Sequence, residues 1–324
     1  MARLLDDPAA LRTALSEAGA IQPGYSGSLE ITRIGAEFGL SGTTASVRLD
    51  DDASPGLVVK LDTAETIRRE QLFYTRYAAA LAGQVPRYLG SVLDDDAGLL
   101  ALELVAPAEQ LDVLTGCDDA TAERLVSLLA TLHAATWVAP SDVDLRLPRW
   151  RRRPYAPDEW TALLDTARRR FPEIIDSEAT ERLAGLPGRV AGALDRLAAV
   201  PHAWIHADAH LDNVLRRPGG GVVLLDWATS CVGPPLADLA QLLAGGLVDD
   251  PSTSTRVAAL LEVYAETLGA HGIETDPDDV ASLTRDAVLP WVQGMVGWAA
   301  APVRPTGRTD AVLRFQLGIA VAWS

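Results

Sequence analysis

The sequence predicts an α+β fold in two lobes, with a strand-rich front and a helix-rich back. Residues 25–105 hold five short runs of β-branched and alternating apolar residues around one helix-patterned stretch. From about residue 109 the pattern changes to long amphipathic helices. That helical region is interrupted once, by "AWIHADAHLDNVLRRPGGGVVLLDWATS", whose two apolar runs flank a glycine turn as a small hairpin would. The boundary between lobes is placed at 105/106, giving units of 1–105 and 106–324.

The elements follow in order. "MARLLDDPAALRTALSEAG" sets two aspartates where a signal peptide needs its apolar core, and reads as an amphipathic helix. "LEITRIGA", "TTASVRLD" and "GLVVKLD" are strands of an antiparallel meander, parted by glycine-bearing turns. "AETIRREQLFYTRYAAALAG" has apolar residues at helical spacing and stops at Gly83. "RYLGSV" and "LLALELV", joined by "DDDAG", form a further hairpin and complete a five-stranded sheet. Helices then follow at "ATAERLVSLLATLHAATW", "DEWTALLDTARRRF" and "SEATERLAGLPGRVAGALDRLAAV", with three or four more after residue 236. The uncharged run Ala287–Val303 contains Gln293 and is broken by Pro290, Gly294 and Gly297. It reads as a buried helix, because a membrane span needs roughly 20 predominantly apolar residues.

Composition narrows the function. The 324 residues are 48% hydrophobic and 22% charged, an ordinary globular balance, and 44 acidic against 28 basic residues leave a net charge of −16. That charge argues against nucleic acid and anionic membrane as partners and suits a neutral or cationic small molecule. Cys117 and Cys231 make neither a disulfide framework nor a thiolate zinc site. A cytoplasmic protein is expected; nothing in the sequence speaks to oligomeric state.

One residue stands out. Lys60 is the single lysine among 28 basic residues. Its ammonium is a compact point charge on a flexible stem, unlike the planar fork of arginine. Upstream lie Gly35, Gly39 and Gly42, in a loop of residues 35–43 that includes Ser41 and Thr43, and downstream Glu70 is placed to hold Lys60 in an ion pair. The densest cluster of reactive side chains is His206, Asp208, His210, Asp212 and Asn213, followed by Asp226. Phosphoryl transfer needs such parts: a cation and a glycine loop on the phosphates, hard oxygen ligands for magnesium, and a carboxylate to orient the attacking hydroxyl. H-x-D-x-x-x-x-N followed by D-W-A also reproduces the order of a kinase catalytic loop and metal loop. A second chemistry competes. His206, Asp208 and His210 alternate as the ligands of a metallohydrolase would, although only His133, His202 and His271 complete the histidine inventory. His206 alone reads as a packed structural histidine, and His210 as either a support of the loop or a substrate contact.

"HADAHLDNVL" followed by "VVLLDWATSCVGPPLADLAQLL" resembles the aminoglycoside phosphotransferase and choline kinase-like family, whose motif is H-G-D-x-H-x-x-N. The resemblance spans roughly residues 30–245. It implies a bilobal protein-kinase-like fold, with a five-stranded antiparallel N-lobe and a mainly helical C-lobe. It implies Asp208 as catalytic aspartate, Asn213 and Asp226 as magnesium ligands, Lys60 as the phosphate lysine and Asp238 as a structural carboxylate. The adenine hinge would fall in "LLALELV", at Glu103 and Val105, and the donor would be ATP or GTP. The implied acceptor is a hydroxyl of a small molecule: an aminoglycoside, macrolide or nucleoside-type antibiotic met as a resistance substrate, or a metabolite such as an amino alcohol or sugar. Two positions depart from the family. Ala207 replaces the motif's glycine, a mild change if that residue has an ordinary backbone angle, and the glycine loop reads G-x-x-x-G-x-x-G.

Overall fold

The computed structural model describes residues 4–34, 43–50, 56–247, 255–302 and 307–324, and the chain folds as two compact units. The first comprises residues 4–110 together with 215–230, and the second 111–214 with 231–324. The return of 215–230 to the first unit was not expected from a single boundary at 105/106. Its cause is strand pairing: β6 (Glu109–Gln110) runs antiparallel to β8 (Val214–Arg216), β9 (Val222–Leu224) extends that small sheet, and the Leu224 N–H donates to the Gln84 carbonyl at 2.9 Å.

The first unit opens with α1 (Pro8–Glu17), started by Pro8 and by the Asp7 carboxylate, which accepts from the N–H groups of Ala9 and Ala10. Five strands follow: β1 (Leu29–Ile34), β2 (Thr43–Leu49), β3 (Leu57–Thr63), β4 (Tyr88–Leu93) and β5 (Ala97–Glu103). They form one antiparallel sheet in the order β1-β2-β3-β5-β4. Side chains alternate between faces along a strand, so each strand contributes to two layers. Val59, Leu61, Leu99 and Ala101 join Leu11 and Leu15 of α1 in one core. Lys60, paired in register with Leu100, lies on the opposite face. There α2 (Ala64–Arg76) starts directly from the end of β3 and buries Ile67, Glu70, Phe73 and Tyr74.

The second unit is helical: α3 (Asp119–Ala135), α4 (Pro157–Arg170), α5 (Ser177–Ala184), α6 (Leu186–Ala199), α7 (Leu236–Leu242), α8 (Thr255–Ala270), α9 (Pro277–Ala299) and α10 (Gly307–Trp323). The long α9 packs against α4, α6, α7, α8 and α10, with Pro290 buried inside it. The two short strands β7 (Ala203–Ile205) and β10 (Cys231–Gly233) pair antiparallel. The loop after β7 carries Asp208 through Asn213. No helix among the described residues is long and apolar enough to cross a membrane.

The sheet and α1 meet closely at Gly90, where β4 shifts register. A Cβ built there would lie 1.9 Å from the Ala18 carbonyl oxygen, a backbone atom that cannot give way cheaply. Gly90→Ala is therefore expected to destabilise the protein by more than about 2 kcal/mol in urea unfolding. A variant within about 0.5 kcal/mol of the parent would contradict this docking of α1.

Candidate active site

The first unit holds the lysine. Lys60 Nζ, 10% exposed, lies 2.6 Å from Glu70 Oε1 and 2.6 Å from Asp226 Oδ1. The helix geometry explains Glu70. Thr63 caps α2, its hydroxyl accepting from the Thr66 N–H, so the helix begins as the strand ends and its buried face turns Glu70 onto Lys60. Asp226 comes from the turn after β9 and sits at φ +58°, a left-handed angle that aspartate tolerates better than most residues. The next residue anchors it. Trp227 is fully buried and stacks on Phe73 of α2 at 3.5 Å between ring centroids, and Arg69 of α2 donates to the Ala228 carbonyl.

One buried cation facing two carboxylates leaves a net negative charge in a poorly solvated place. Glu70, 1% exposed on its side chain, responds: burial pushes its carboxyl up to about 7, against the pull of Lys60. Burial works to lower the lysine, yet Glu70 and Asp226 outweigh it and hold the ammonium above its ordinary range.

The second unit holds the His-x-Asp loop. Asp208 is surrounded by donors: Gln241 Nε2 at 2.9 Å from Oδ1, and Asn213 Nδ2 and His210 Nε2 both at 3.4 Å from Oδ2. Burial would raise this carboxyl, but the hydrogen bond and charge of His210 and the bond from Gln241 bring it down to about 2. Asp208 is thus ionised at neutral pH. Asn213 Nδ2 also donates to the Asp208 carbonyl at 3.0 Å, which commits its amine side to the loop.

The loop's backbone is held by Asp238. That carboxylate, 0% exposed, accepts from the N–H groups of His206 at 2.6 Å and Ala207 at 2.7 Å, and stands 3.3 Å from His133 Nε2. The condition for a mild change at Ala207 is not met. Its φ is +61°, so the substitution for the motif's glycine falls at a left-handed position and costs roughly 1 kcal/mol through its Cβ. The loop's far end is tied by Asp212, which accepts from the Val113 N–H at 2.9 Å and from both terminal nitrogens of Arg308 at 2.7 Å.

The structure brings Lys60, Glu70 and Asp226 together in one unit, and Asp208, His210 and Asn213 together in the other. Thr43 begins β2 opposite Leu61, and Glu103 ends β5 opposite Leu57 with Arg87 at 3.8 Å. Val105 is buried. Gly35, Gly39, Ser41 and Gly42 lie outside the described residues. Sequence reasoning missed Gln241, although it sits three residues after Asp238 on one helix and so on the same face. It also missed Arg308, for which no local signal exists. The alternating metal set does not form. His206 is fully buried, its Nδ1 accepting from the Asp208 N–H at 3.2 Å, and among the described residues no group of three His, Cys, Asp or Glu side chains converges to hold a metal.

An antiparallel sheet bearing a buried lysine–glutamate pair, followed by a helical unit with an Asp-and-Asn loop, defines the protein-kinase-like class of small-molecule kinases. Solved structures share this architecture. The choline kinase LicA from Streptococcus pneumoniae is 17% identical with a TM-score of 0.56 over 96% of this chain and 97% of its own, and its complex with AMP gives 0.55, also at 17% identity, over 97% of each chain. The macrolide 2'-phosphotransferase MphH from Brachybacterium faecium is 19% identical, with a TM-score of 0.53 over 91% of each chain. The aminoglycoside phosphotransferase APH(4)-Ia is 15% identical, with a TM-score of 0.50 over 89% of this chain and 94% of its own. No curated protein matches the sequence significantly. The model of the phosphotransferase enzyme family matches residues 37–281, and the chain belongs to that family. It is accordingly a phosphotransferase that acts on a hydroxyl group of a small molecule.

Glu70 makes the lysine cluster sensitive to pH. Its folded value of about 7 lies above the ordinary glutamate value of 4.5, so folding takes up a proton between these limits. The carboxyl's contribution to stability is then fully present at and below pH 4.5 and is lost as pH rises through 7. Glu70→Gln cannot titrate. The unfolding free energy of the parent minus that of Glu70→Gln is expected to fall from pH 4.5 to 7 in urea titrations. A difference that grows with pH would contradict a carboxyl held neutral by burial.

Proposed function

We propose that the protein transfers the γ-phosphoryl group of ATP, or of GTP as the alternative donor, to a hydroxyl of an amine-bearing antibiotic. The observation that carries the transfer chemistry is Asp208: a carboxylate kept ionised, with Gln241 on one oxygen and the other oxygen bordered by Asn213 and His210. Such a group can accept the hydrogen of an attacking hydroxyl and aim its lone pair. Lys60, steered by Glu70, binds the α- and β-phosphates as a point donor. Thr43 and the loop with Gly39, Ser41 and Gly42 cover the phosphates, and the backbone from Glu103 to Val105 receives the base. Nucleotide use is supported by the AMP complex of the choline kinase that shares this fold.

Magnesium fits the donors present. Asp226 offers a carboxylate that is 46% exposed, and Asn213, with its amine side committed to the loop, offers an amide oxygen. Carboxylate and amide oxygens, with substrate phosphates and water, are the hard donors that magnesium takes. When bound, magnesium neutralises phosphate charge and orients the γ-phosphoryl group for in-line attack.

A positively charged acceptor suits a chain of net charge −16. Choline and aminoglycosides, named for the kinases with this fold, are both cationic and hydroxyl-bearing. The second reading, a metabolic kinase of an amino alcohol, is favoured by the likeness to choline kinase, with its TM-score of 0.56.

The test is acceptor-dependent release of ADP from magnesium-ATP, with choline, hygromycin B and a macrolide as acceptors. The parent is expected to respond to at least one of these, and Asp208→Asn to none. Lys60→Arg should keep less than about a tenth of the parent rate, because the broad guanidinium does not fit beside both Glu70 and the phosphates, while remaining folded by circular dichroism. Near-normal turnover in Lys60→Arg would contradict the role given to Lys60.

A further inference from the structure

A cavity of about 300 Å³ opens in the helical unit, bordered by the ends of α3 and α8 and the beginnings of α7 and α9. None of Asp208, His210, Asn213 or Gln241 lines it. Its volume is the room of roughly ten waters at about 30 Å³ each, enough for a small organic molecule.

The lining states what would bind. The walls are apolar, Leu268, Val280 and Leu283 among them, and the half-buried ring of Trp137 offers an aromatic face. Among the described residues, no lysine, arginine or histidine lines the cavity. Three carboxylates do, from the exposed Glu274, Asp276 and Asp279. Asp276 is occupied in capping α9, its Oδ1 accepting from the Asp278 N–H at 2.8 Å, which leaves Glu274 and Asp279 to meet a charge. Between them Thr275 places a buried Oγ1 that has no hydrogen-bond partner among the described residues. An anion would meet only like charge here. A compact apolar body carrying an ammonium group meets apolar walls, an aromatic face and two carboxylates.

The position of the cavity links it to the catalytic loop. Tyr264 of α8 forms part of the wall and is 1% exposed. Its hydroxyl is 2.9 Å from His133 Nδ1, and His133 Nε2 is 3.3 Å from Asp238 Oδ2. Asp238 is the group that receives the N–H groups of His206 and Ala207. A second wall residue, Leu236, precedes Asp238 by two positions on α7. We propose that this cavity is a second binding site, for a small apolar cation, and that its occupancy is transmitted to the catalytic loop through Tyr264, His133 and Asp238. An occupant acts on the loop to the extent that it favours one placement of the tyrosine over another, since coupling requires a difference in affinity between two arrangements.

Three probes of one size separate the chemistry: phenethylamine, 2-phenylethanol and phenylacetate, titrated into the ¹⁵N-labelled full chain without nucleotide. The readout is amide shifts, so the outcome is independent of phosphotransfer. The amine is expected to bind at least fivefold tighter than the alcohol, to perturb amides of residues 264–283, and to move the Ala207 amide. Glu274→Gln with Asp279→Asn, both at exposed positions, should remove the amine's advantage over the alcohol. Ile273→Trp, which adds bulk to the lining, should abolish binding there. Tyr264→Phe keeps the wall and should leave amine binding within twofold while the Ala207 amide no longer responds. Equal binding of the three probes, or shifts that leave residues 264–283 unmoved, would overturn the site. An Ala207 response that is absent in the parent, or retained in Tyr264→Phe, would overturn the link to the loop.

Discussion

A single buried carboxylate organises the helical unit. Asp238 has no access to solvent, and it accepts two backbone N–H groups of the His-x-Asp loop while facing His133. Burying an ion without partners is costly, whereas one that accepts several short hydrogen bonds repays its desolvation. The benefit is local. Ala207 is held at a left-handed angle that its Cβ disfavours, and the bonds that the Ala207 and His206 N–H groups donate to Asp238 are what that conformation rests on. The left-handed step is also what turns the chain from β7 into the loop that presents Asp208. Because Gln241 rises from the same short helix as Asp238, α7 fixes both the backbone of the loop and the rotamer of its carboxylate.

The first unit solves a different electrostatic problem. Lys60 is nearly buried, and two carboxylates approach it to 2.6 Å. Burial pushes the Glu70 carboxyl up to about 7, so near neutral pH the cluster stands between one anion and two on a single cation. Asp226, 46% exposed, is the carboxylate of the pair that still faces solvent, while Glu70, 1% exposed, is enclosed with Lys60. Its sequence neighbours share this division: Trp227 stacks inward on Phe73 and so keeps Asp226 at the surface.

Much of this was legible in the sequence, and the reasons are physical. The five strands follow from runs with period two, and Lys60 stood out because no other lysine exists in the chain. H-x-D-x-x-x-x-N is local, so its spacing survives in the linear text, and the structure gathers Asp208, His210 and Asn213 into one loop. What was not legible depends on distant parts of the chain or on backbone angles. The ties from Arg308 to Asp212 and Asp112 cross 96 and 196 positions and leave no periodic trace. The left-handed angle at Ala207 is set by Asp238 rather than by alanine's own preference. The return of residues 215–230 to the first unit rests on two-residue pairing with Glu109 and Gln110, too short to carry a pattern. Gln241 was legible in principle, since i and i+3 share a helix face, yet only the placement of Asp238 against the loop gives that face a meaning.

If Lys60 and Asp226 belong to a site for a metal-bound nucleotide, magnesium-ATP must stabilise the folded chain. The most direct measurement is the unfolding temperature of the full chain with ATP, in magnesium and again in chelator, for the parent and for Asp226→Ala. A ligand that binds only the folded state must raise that temperature. The expected result is an upward shift with magnesium-ATP that is larger than with ATP in chelator and is lost in Asp226→Ala. A shift of equal size in chelator and in the variant, or no shift in the parent, would contradict it.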